Sequence, residues 1–136
     1  MLNYDPKILV AFGEAVNGNK KIHQWLLENG FPELAALSSA INRDIEALNW
    51  LLKSNTPELG VLSNAIDGEE DAYKWFMKNK MPFYVLFADA CRSKEKAVKW
   101  LISHKMDIFV RLSKIINNSL EQQRRDFHDP HKLFRG

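Results

Sequence analysis

Apolar residues recur at spacings of three and four along the chain, and no segment shows the sustained alternation typical of a strand. The same order of apolar and polar positions returns every 25 residues, and the four tryptophans mark this period at Trp25, Trp50, Trp75 and Trp100. A repeat of this length is typical of arrays of small structural units. The chain is therefore predicted to be all-α and built from repeated helical units.

Other positions follow the same repeat as the tryptophans. An apolar pair follows each Trp, as in Leu51-Leu52, and an alanine stands ten residues before each Trp. A column of small residues lies two positions before the alanines, and it predicts a close approach between neighbouring helices. Its members are Gly13, Ser38, Ser63, Ala88 and Ser113.

Each unit is predicted to contain two short helices. Pro6, Pro32, Pro57 and Pro82 mark the start of the first helix in four units, because proline is accepted at the first helical position, where its N–H is not needed. The first helix is expected to end at a short polar residue such as Asn17. We expect that same residue to cap the second helix.

Helices of about ten residues are marginal alone, so the units must stack. The predicted fold is an α-solenoid of about five stacked two-helix repeats in one domain, residues 1–125, with units 6–29, 32–54, 57–79, 82–104 and 107–125. The tryptophans are expected to be buried between units, so that truncating Trp50 or Trp75 to Ala would cost about 3–5 kcal/mol. Arg125 replaces Trp in the fifth unit, which predicts a polar cap. Residues 126–136 are expected to form a tail.

The stretch Thr56-Pro57-Glu58-Leu59, with Ala65, Gly68 and the Trp75-Phe76 pair, resembles an ankyrin repeat. The resemblance covers four units loosely, and the third unit carries most of it. The period is shorter than that of ankyrin units, which leaves no room for their β-hairpin loop. The resemblance implies ankyrin-like helical hairpins that mediate protein interactions without catalysis.

Charge is distributed unevenly around a net value of +2. Residues 1–68 carry five Lys/Arg against eight Asp/Glu, whereas residues 69–136 carry fourteen against nine. No apolar run approaches the roughly 20 residues that span a bilayer, and residues 1–6 do not resemble a secretory signal. The single cysteine cannot form an internal disulfide, which fits a cytoplasmic location. No membrane partner is expected.

No catalytic, cofactor-binding or metal site is predicted. The chain contains none of the common phosphate-binding, dinucleotide-binding, hydrolase or zinc-protease motifs. His128, His131 and Asp126 are potential metal ligands, but their spacing matches no established zinc pattern, and Pro130 prevents a helix from aligning the histidines. Cys91 occupies a column of apolar residues and is interpreted as a small core residue.

Two columns of the first helices vary in chemistry from unit to unit, unlike the core columns. They stand three residues apart and should form one strip along the stack, a candidate binding surface. We call this surface the first-helix strip. Its candidate partner-binding residues are Val61, Leu86, Arg111, Glu14, Ser39, Asn64, Asp89 and Lys114. An equally acceptable interpretation is that these positions are unconstrained and solvated.

The sequence therefore predicts a non-enzymatic scaffold that binds a protein or peptide through the first-helix strip. Val61 and Leu86 are expected to form an exposed apolar patch. The alternative is nucleic-acid binding through the basic C-terminal half. Its candidate residues are Arg92, Lys94, Lys96, Lys99, Lys105, Arg111, Lys114, Arg124 and Arg125. Sequence alone does not determine the oligomeric state.

Overall fold

The structure, a computed structural model, describes residues 1–128, except for the side chain of His128. Over this range the chain is an all-α, solenoid-like arrangement, as the sequence predicts. Nine helices occupy the described residues: α1 (Pro6–Val16), α2 (Lys20–Glu28), α3 (Pro32–Ile41), α4 (Ile45–Leu52), α5 (Pro57–Ile66), α6 (Glu70–Lys78), α7 (Pro82–Cys91), α8 (Glu95–Ser103) and α9 (Asp107–His128).

The junction between the two helices of a unit is longer than expected. Asn17 and Asn42 end α1 and α3, but they do not cap the following helices. The caps lie two residues later, where the side chains of Asn19 and Asp44 accept hydrogen bonds from backbone N–H groups in the first turns of α2 and α4. The expectation of a one-residue junction was therefore wrong.

A left-handed residue separates each helix end from the next cap. Gly18 and Gly68 adopt φ values of 93° and 87°, and Arg43 and Ser93 adopt 76° and 62°. Glycine adopts this conformation without strain, whereas residues with a Cβ do so at a cost. The chain can therefore reverse direction within three residues.

The first helices form an inner ring, which we define as α1, α3, α5, α7 and α9. They pack in chain order, and α9 packs in turn against α1, so that the array closes on itself. The helices α2, α4, α6 and α8 lie outside and are called the outer helices. Each one contacts the first helix of its own unit and that of the next unit.

Close packing within the ring depends on the column of small residues. Ser38, Ser63, Ala88 and Ser113 are all buried. A Cβ atom placed on Gly13 would lie 3.1 Å from side-chain atoms of both Leu112 and Ile115. The first and last inner helices therefore meet at a position that admits no larger side chain without adjustment.

The tryptophans do not lie in the core, which corrects the prediction from the repeat. Trp25, Trp50 and Trp100 are 40%, 49% and 40% exposed, and Trp75 is half-buried. The residue that follows each Trp is completely buried instead. These core residues are Leu26, Leu51, Phe76 and Leu101.

The fifth unit is also different from its prediction. No junction occurs at Asn117, because α9 continues as one helix to His128. By continuing as one helix, α9 buries Leu120. It also places Gln123 beside the end of α3, where the Gln123 Nε2 donates to the Ile41 carbonyl at 2.9 Å. Residues 126–128 thus belong to α9 rather than to a tail, and residues 129–136 lie outside the described residues.

Gln123 supplies a donor that the repeat lacks at one position. The Asn42 amide donates to the carbonyl of Val16 in the preceding unit, and the Asn117 amide donates to that of Cys91 in the same way. Asp67, which follows α5, is the corresponding residue opposite the Ile41 carbonyl at the end of α3, and an ionised carboxylate cannot donate to that carbonyl. The contact from α9 therefore supplies a donor to the Ile41 carbonyl and links α9 to α3.

Adjacent residues of α4 should respond very differently to truncation. Leu51→Ala is expected to lower the free energy of unfolding by about 2–5 kcal/mol, because it leaves a cavity between α3, α4 and α5. Trp50→Ala should cost only about 1 kcal/mol, since half of the indole is already in water. Urea denaturation followed by circular dichroism measures both values. Equal losses for the two variants would contradict this assignment of the core.

Candidate functional site

The first-helix strip does not line an open concave surface, because α9 closes the ring against α1. Its residues instead face the outer helices. Ser39 Oγ lies 3.0 Å from His23 Nε2 of α2, and the Tyr73 hydroxyl of α6 donates to Asp89 at 3.0 Å. The strip is therefore located on the outward faces of the inner helices, beside the outer helices.

Exposure varies along the first-helix strip. Val61 was expected to be exposed, but only 8% of its surface is accessible, so this part of the prediction was wrong. Leu86 is half-buried. The predicted exposed pair of apolar residues is therefore not formed. Among the other strip residues, the exposed ones are Glu14, Arg111 and Lys114, and the half-buried ones are Ser39, Asn64 and Asp89.

Asp89 is the strip residue with the largest number of polar contacts. Besides the Tyr73 hydroxyl, it has Lys94 Nζ at 3.9 Å, and Arg92 Nη1 donates to the same hydroxyl at 3.3 Å. Burial raises the pKa of Tyr73, the Arg92 hydrogen bond lowers it, and the Asp89 charge raises it. The phenol therefore stays protonated and continues to donate to Asp89 at neutral pH.

The outer helices present side chains on both sides of their buried residue. Trp50 lines a surface cavity together with Pro32 and Glu33 of α3. Leu52 packs in the opposite direction on α5, where a Cβ atom at Gly60 would lie only 2.8 Å from its Cδ2 atom. In α4, Trp50 thus faces the preceding inner helix, and Leu52 faces the following one.

The exposure of the Trp column was not predicted, although the sequence contains a signal for it. Four residues before each buried Leu or Phe stands an apolar residue, such as Ile22 or Ala72. Four residues before each Trp stands a charged one: Lys21, Glu46, Asp71 and Lys96. Since residues four apart share a helix face, this comparison places the Trp column at the edge of the polar face.

The basic residues of the C-terminal half do not form one free surface. Several of them are engaged by neighbouring side chains, and they lie on different elements. The contacts are Arg92 with Tyr73, Lys94 with Asp89, Lys99 with Glu95, Arg124 with Glu121, and Arg125 with Gln122. The geometry therefore gives little support to a nucleic-acid interface.

The remaining candidates for chemistry lie in the core or outside the described residues. Cys91 is completely buried, as expected for a core residue, and burial raises its thiol pKa well above the usual value. Residues 1–128 contain no group of three or more metal-ligating side chains. The potential ligand His131 lies outside the described residues, and so does the side chain of His128. Within that range, none of the helices has the length and apolar composition needed to cross a bilayer.

The chain matches no protein-family model, no curated protein and no solved structure. The interpretation of its surfaces therefore depends on their own geometry and chemistry.

Tyr73→Phe should remove the hydrogen bond to Asp89 and lower the free energy of unfolding by about 0.5–1.5 kcal/mol at neutral pH. Because the pKa of Tyr73 is raised, its contribution is complete below the ordinary pKa of 10.0 and declines as the pH rises through the folded value. The variant should therefore lose less stability than the native chain above that pH. Thermal unfolding across this alkaline range measures the difference.

Tyr84→Phe is a comparison variant, because it keeps the bond between Tyr73 and Asp89 and should retain that bond's contribution at neutral pH, although it too should lose less stability than the native chain at alkaline pH. Burial raises the pKa of Tyr84 to about 12. If Tyr73→Phe and the native chain lost stability in parallel as the pH rises, the assigned role of the Tyr73 phenol would be incorrect.

Proposed function

We propose that this chain is a non-enzymatic helical-repeat scaffold that binds a protein or peptide through the first-helix strip. The observation that supports this function is the contrast between two kinds of column. Positions that pack the ring keep the same character in every unit, whereas the strip positions change. The second column of the strip illustrates this, with Glu14, Ser39, Asn64, Asp89 and Lys114 in the five units.

A surface that recognises a particular partner needs side chains that differ between units while the backbone of the units stays the same. In repeat proteins, each unit contributes similar backbone geometry, and the side chains of one face determine the partner. The resemblance of the units to ankyrin-like helical hairpins supports the same role. We propose that both the hairpin architecture and its use in protein binding apply to this chain.

The exposed members of the strip suggest where a partner makes its charged contacts. Arg111 and Lys114 are exposed on α9, and Glu14 is exposed on the neighbouring α1. Neither of the two cations forms a salt bridge in the described part of the chain. A partner with acidic side chains opposite α9 would satisfy them, while Leu86 contributes apolar area.

Two strip variants test the proposal, and circular dichroism should show native helix content in both, because Leu86 packs partly against the core. Leu86→Glu and Arg111→Glu change a half-buried and an exposed residue, whereas Val61 is unsuitable because it is buried. The native chain, immobilised and treated with nuclease, should capture a specific protein from an extract of its host. Each variant is expected to reduce that capture about tenfold, which corresponds to the loss of one good contact.

Lys96→Glu is the matched control, because Lys96 is an exposed cation of α8 that lies outside the strip. It should capture the same protein as the native chain. Retention of the protein by both strip variants would contradict the proposal. Capture that disappears with nuclease or falls steeply with salt would favour nucleic-acid binding instead.

A further inference from the structure

The first-helix strip meets the outer helices at equivalent positions in successive units. In the groove between α2 and α3, His23 Nε2 lies 3.0 Å from Ser39 Oγ. In the groove between α6 and α7, the Tyr73 hydroxyl donates to Asp89 at 3.0 Å. In both grooves, a long side chain of the outer helix therefore reaches across to the strip and supplies a hydrogen-bond partner.

The groove between α8 and α9 lacks such a side chain. The repeat places Val98 at the position of Tyr73 and Lys114 at the position of Asp89. Val98 is shorter than a tyrosine and has no polar group to offer. Lys114 is exposed, and it forms no salt bridge in the described part of the chain. This groove thus combines a missing side chain with an unpaired cation of the strip.

A cavity of about 290 Å³ lies in this groove, and we call it the α8–α9 cavity. Ala90 of α7 and Val98 of α8 form its apolar part. Its polar lining consists of Ser93, Glu95, Ser113, Lys114, Asn117 and Asn118. Pockets for drug-sized ligands begin at about 300 Å³, so this space suits a single side chain of a partner.

Some of the polar groups of the lining are already engaged within the protein. The Ser113 hydroxyl donates to the Val110 carbonyl at 2.7 Å, and the Asn117 amide donates to the Cys91 carbonyl at 3.0 Å. The groups that remain for a ligand include the ammonium group of Lys114, the amide of Asn118 and the hydroxyl of Ser93. All three can donate hydrogen bonds, so the cavity is suited to a ligand that accepts them.

The charge around the α8–α9 cavity is positive. Residues 89–126 carry nine Lys/Arg against five Asp/Glu. Three of the five acidic residues lie within 4 Å of a cation, and the pairs are Lys94 with Asp89, Lys99 with Glu95, and Arg124 with Glu121. Asp107 lies two helical turns before Lys114, about 10 Å along the helix axis. The acidic residues therefore do not neutralise Lys114.

We infer that the α8–α9 cavity receives a glutamate side chain of the partner, with its carboxylate at Lys114 and Asn118 and its methylene groups against Val98. The inference rests on the proposed function and describes its partner in more detail. Hydrogen bonds between an ammonium group and a carboxylate are stronger than those between neutral groups. The two methylene groups of glutamate also cover apolar surface of Val98 and Ala90, which contributes to binding.

The lining favours a carboxylate over a phosphate group. A phosphorylated side chain carries about 1.5 to 2 negative charges at neutral pH, and such groups are typically bound by clusters of arginines. Among the described residues that line the cavity, Lys114 is the one cation, and Glu95 would repel the second charge of a phosphate. A ligand with a single negative charge avoids most of this repulsion.

Amide signals of the isotope-labelled native protein can report binding to the α8–α9 cavity. The probe is N-acetyl-glutamate methylamide, which carries one carboxylate and resembles a glutamate within a peptide. At constant ionic strength, it should shift the signals of residues 93–98 and 113–118 in a saturable manner. The corresponding glutamine derivative has the same shape without the charge, so it should bind at least about tenfold more weakly.

Lys114→Met should weaken binding of the glutamate probe at least about tenfold, because the ammonium group is lost while an aliphatic side chain is kept. Lys96→Met is the matched control, since Lys96 is an exposed cation of α8 outside the lining. It should bind the probe like the native chain. Val98→Tyr should also prevent binding, because it introduces the residue found at Tyr73. Circular dichroism should show native helix content in all three variants.

Three results would overturn the inference. The first is the absence of saturable shifts with the glutamate probe. The second is an equal affinity for the probe in Lys114→Met and in the native chain. The third is tighter binding of inorganic phosphate than of the glutamate probe, which would contradict the choice of a carboxylate.

Capture from the host extract separates this inference from the proposed function. A protein that is lost with Leu86→Glu and Arg111→Glu but retained by Lys114→Met would support the proposed function and contradict the role of the cavity. Saturable binding of the glutamate probe without any captured protein would contradict the proposed function and support the cavity as a carboxylate site.

Discussion

The structure depends on the burial of one side chain per outer helix between two inner helices. Leu26, Leu51, Phe76 and Leu101 are each completely buried, and each outer helix contacts the inner helices of two successive units. A helix of eight or nine residues has little stability alone. This contact therefore stabilises the outer helix and also sets the position of one unit relative to the next.

Ring closure is the second constraint, and it decides which surfaces remain available. An open array would present a concave face lined by its first helices. Here α9 packs on α1, with Gly13 against Leu112 and Ile115, so the inner helices enclose a packed core. The surfaces left exposed are the outward strip, the outer helices and the two ends. The strip varies in chemistry from unit to unit, whereas the Trp column of the outer helices is the same in four units.

Two of the wrong sequence-based predictions, the burial of the tryptophans and the junction at Asn117, have related physical causes. A conserved spacing shows that Trp50 and Leu51 both recur, but it does not say which of two adjacent positions faces the core. The packing of α4 against α3 and α5 buries Leu51 and leaves Trp50 at the surface. In the sequence, the charged residue Glu46, one turn before Trp50, indicated that Trp50 lies at the edge of the polar face. Likewise, Asn117 occupies the position at which the first helix ends in the other units. However, α9 gains buried contacts at Leu120 and Gln123 by continuing straight.

The helical class, the length of the unit and the starts of the helices at Pro32, Pro57 and Pro82 could be predicted from the amino-acid sequence, because they depend on local backbone preferences and on periodicity. It also identified the small column that allows the inner helices to approach. The closure of the array, the burial of Val61 and the exposure of the indoles became evident only from the packing of the helices. These features depend on contacts between segments that are far apart in the chain, such as α1 and α9. Such contacts produce no periodic pattern of residues in either segment.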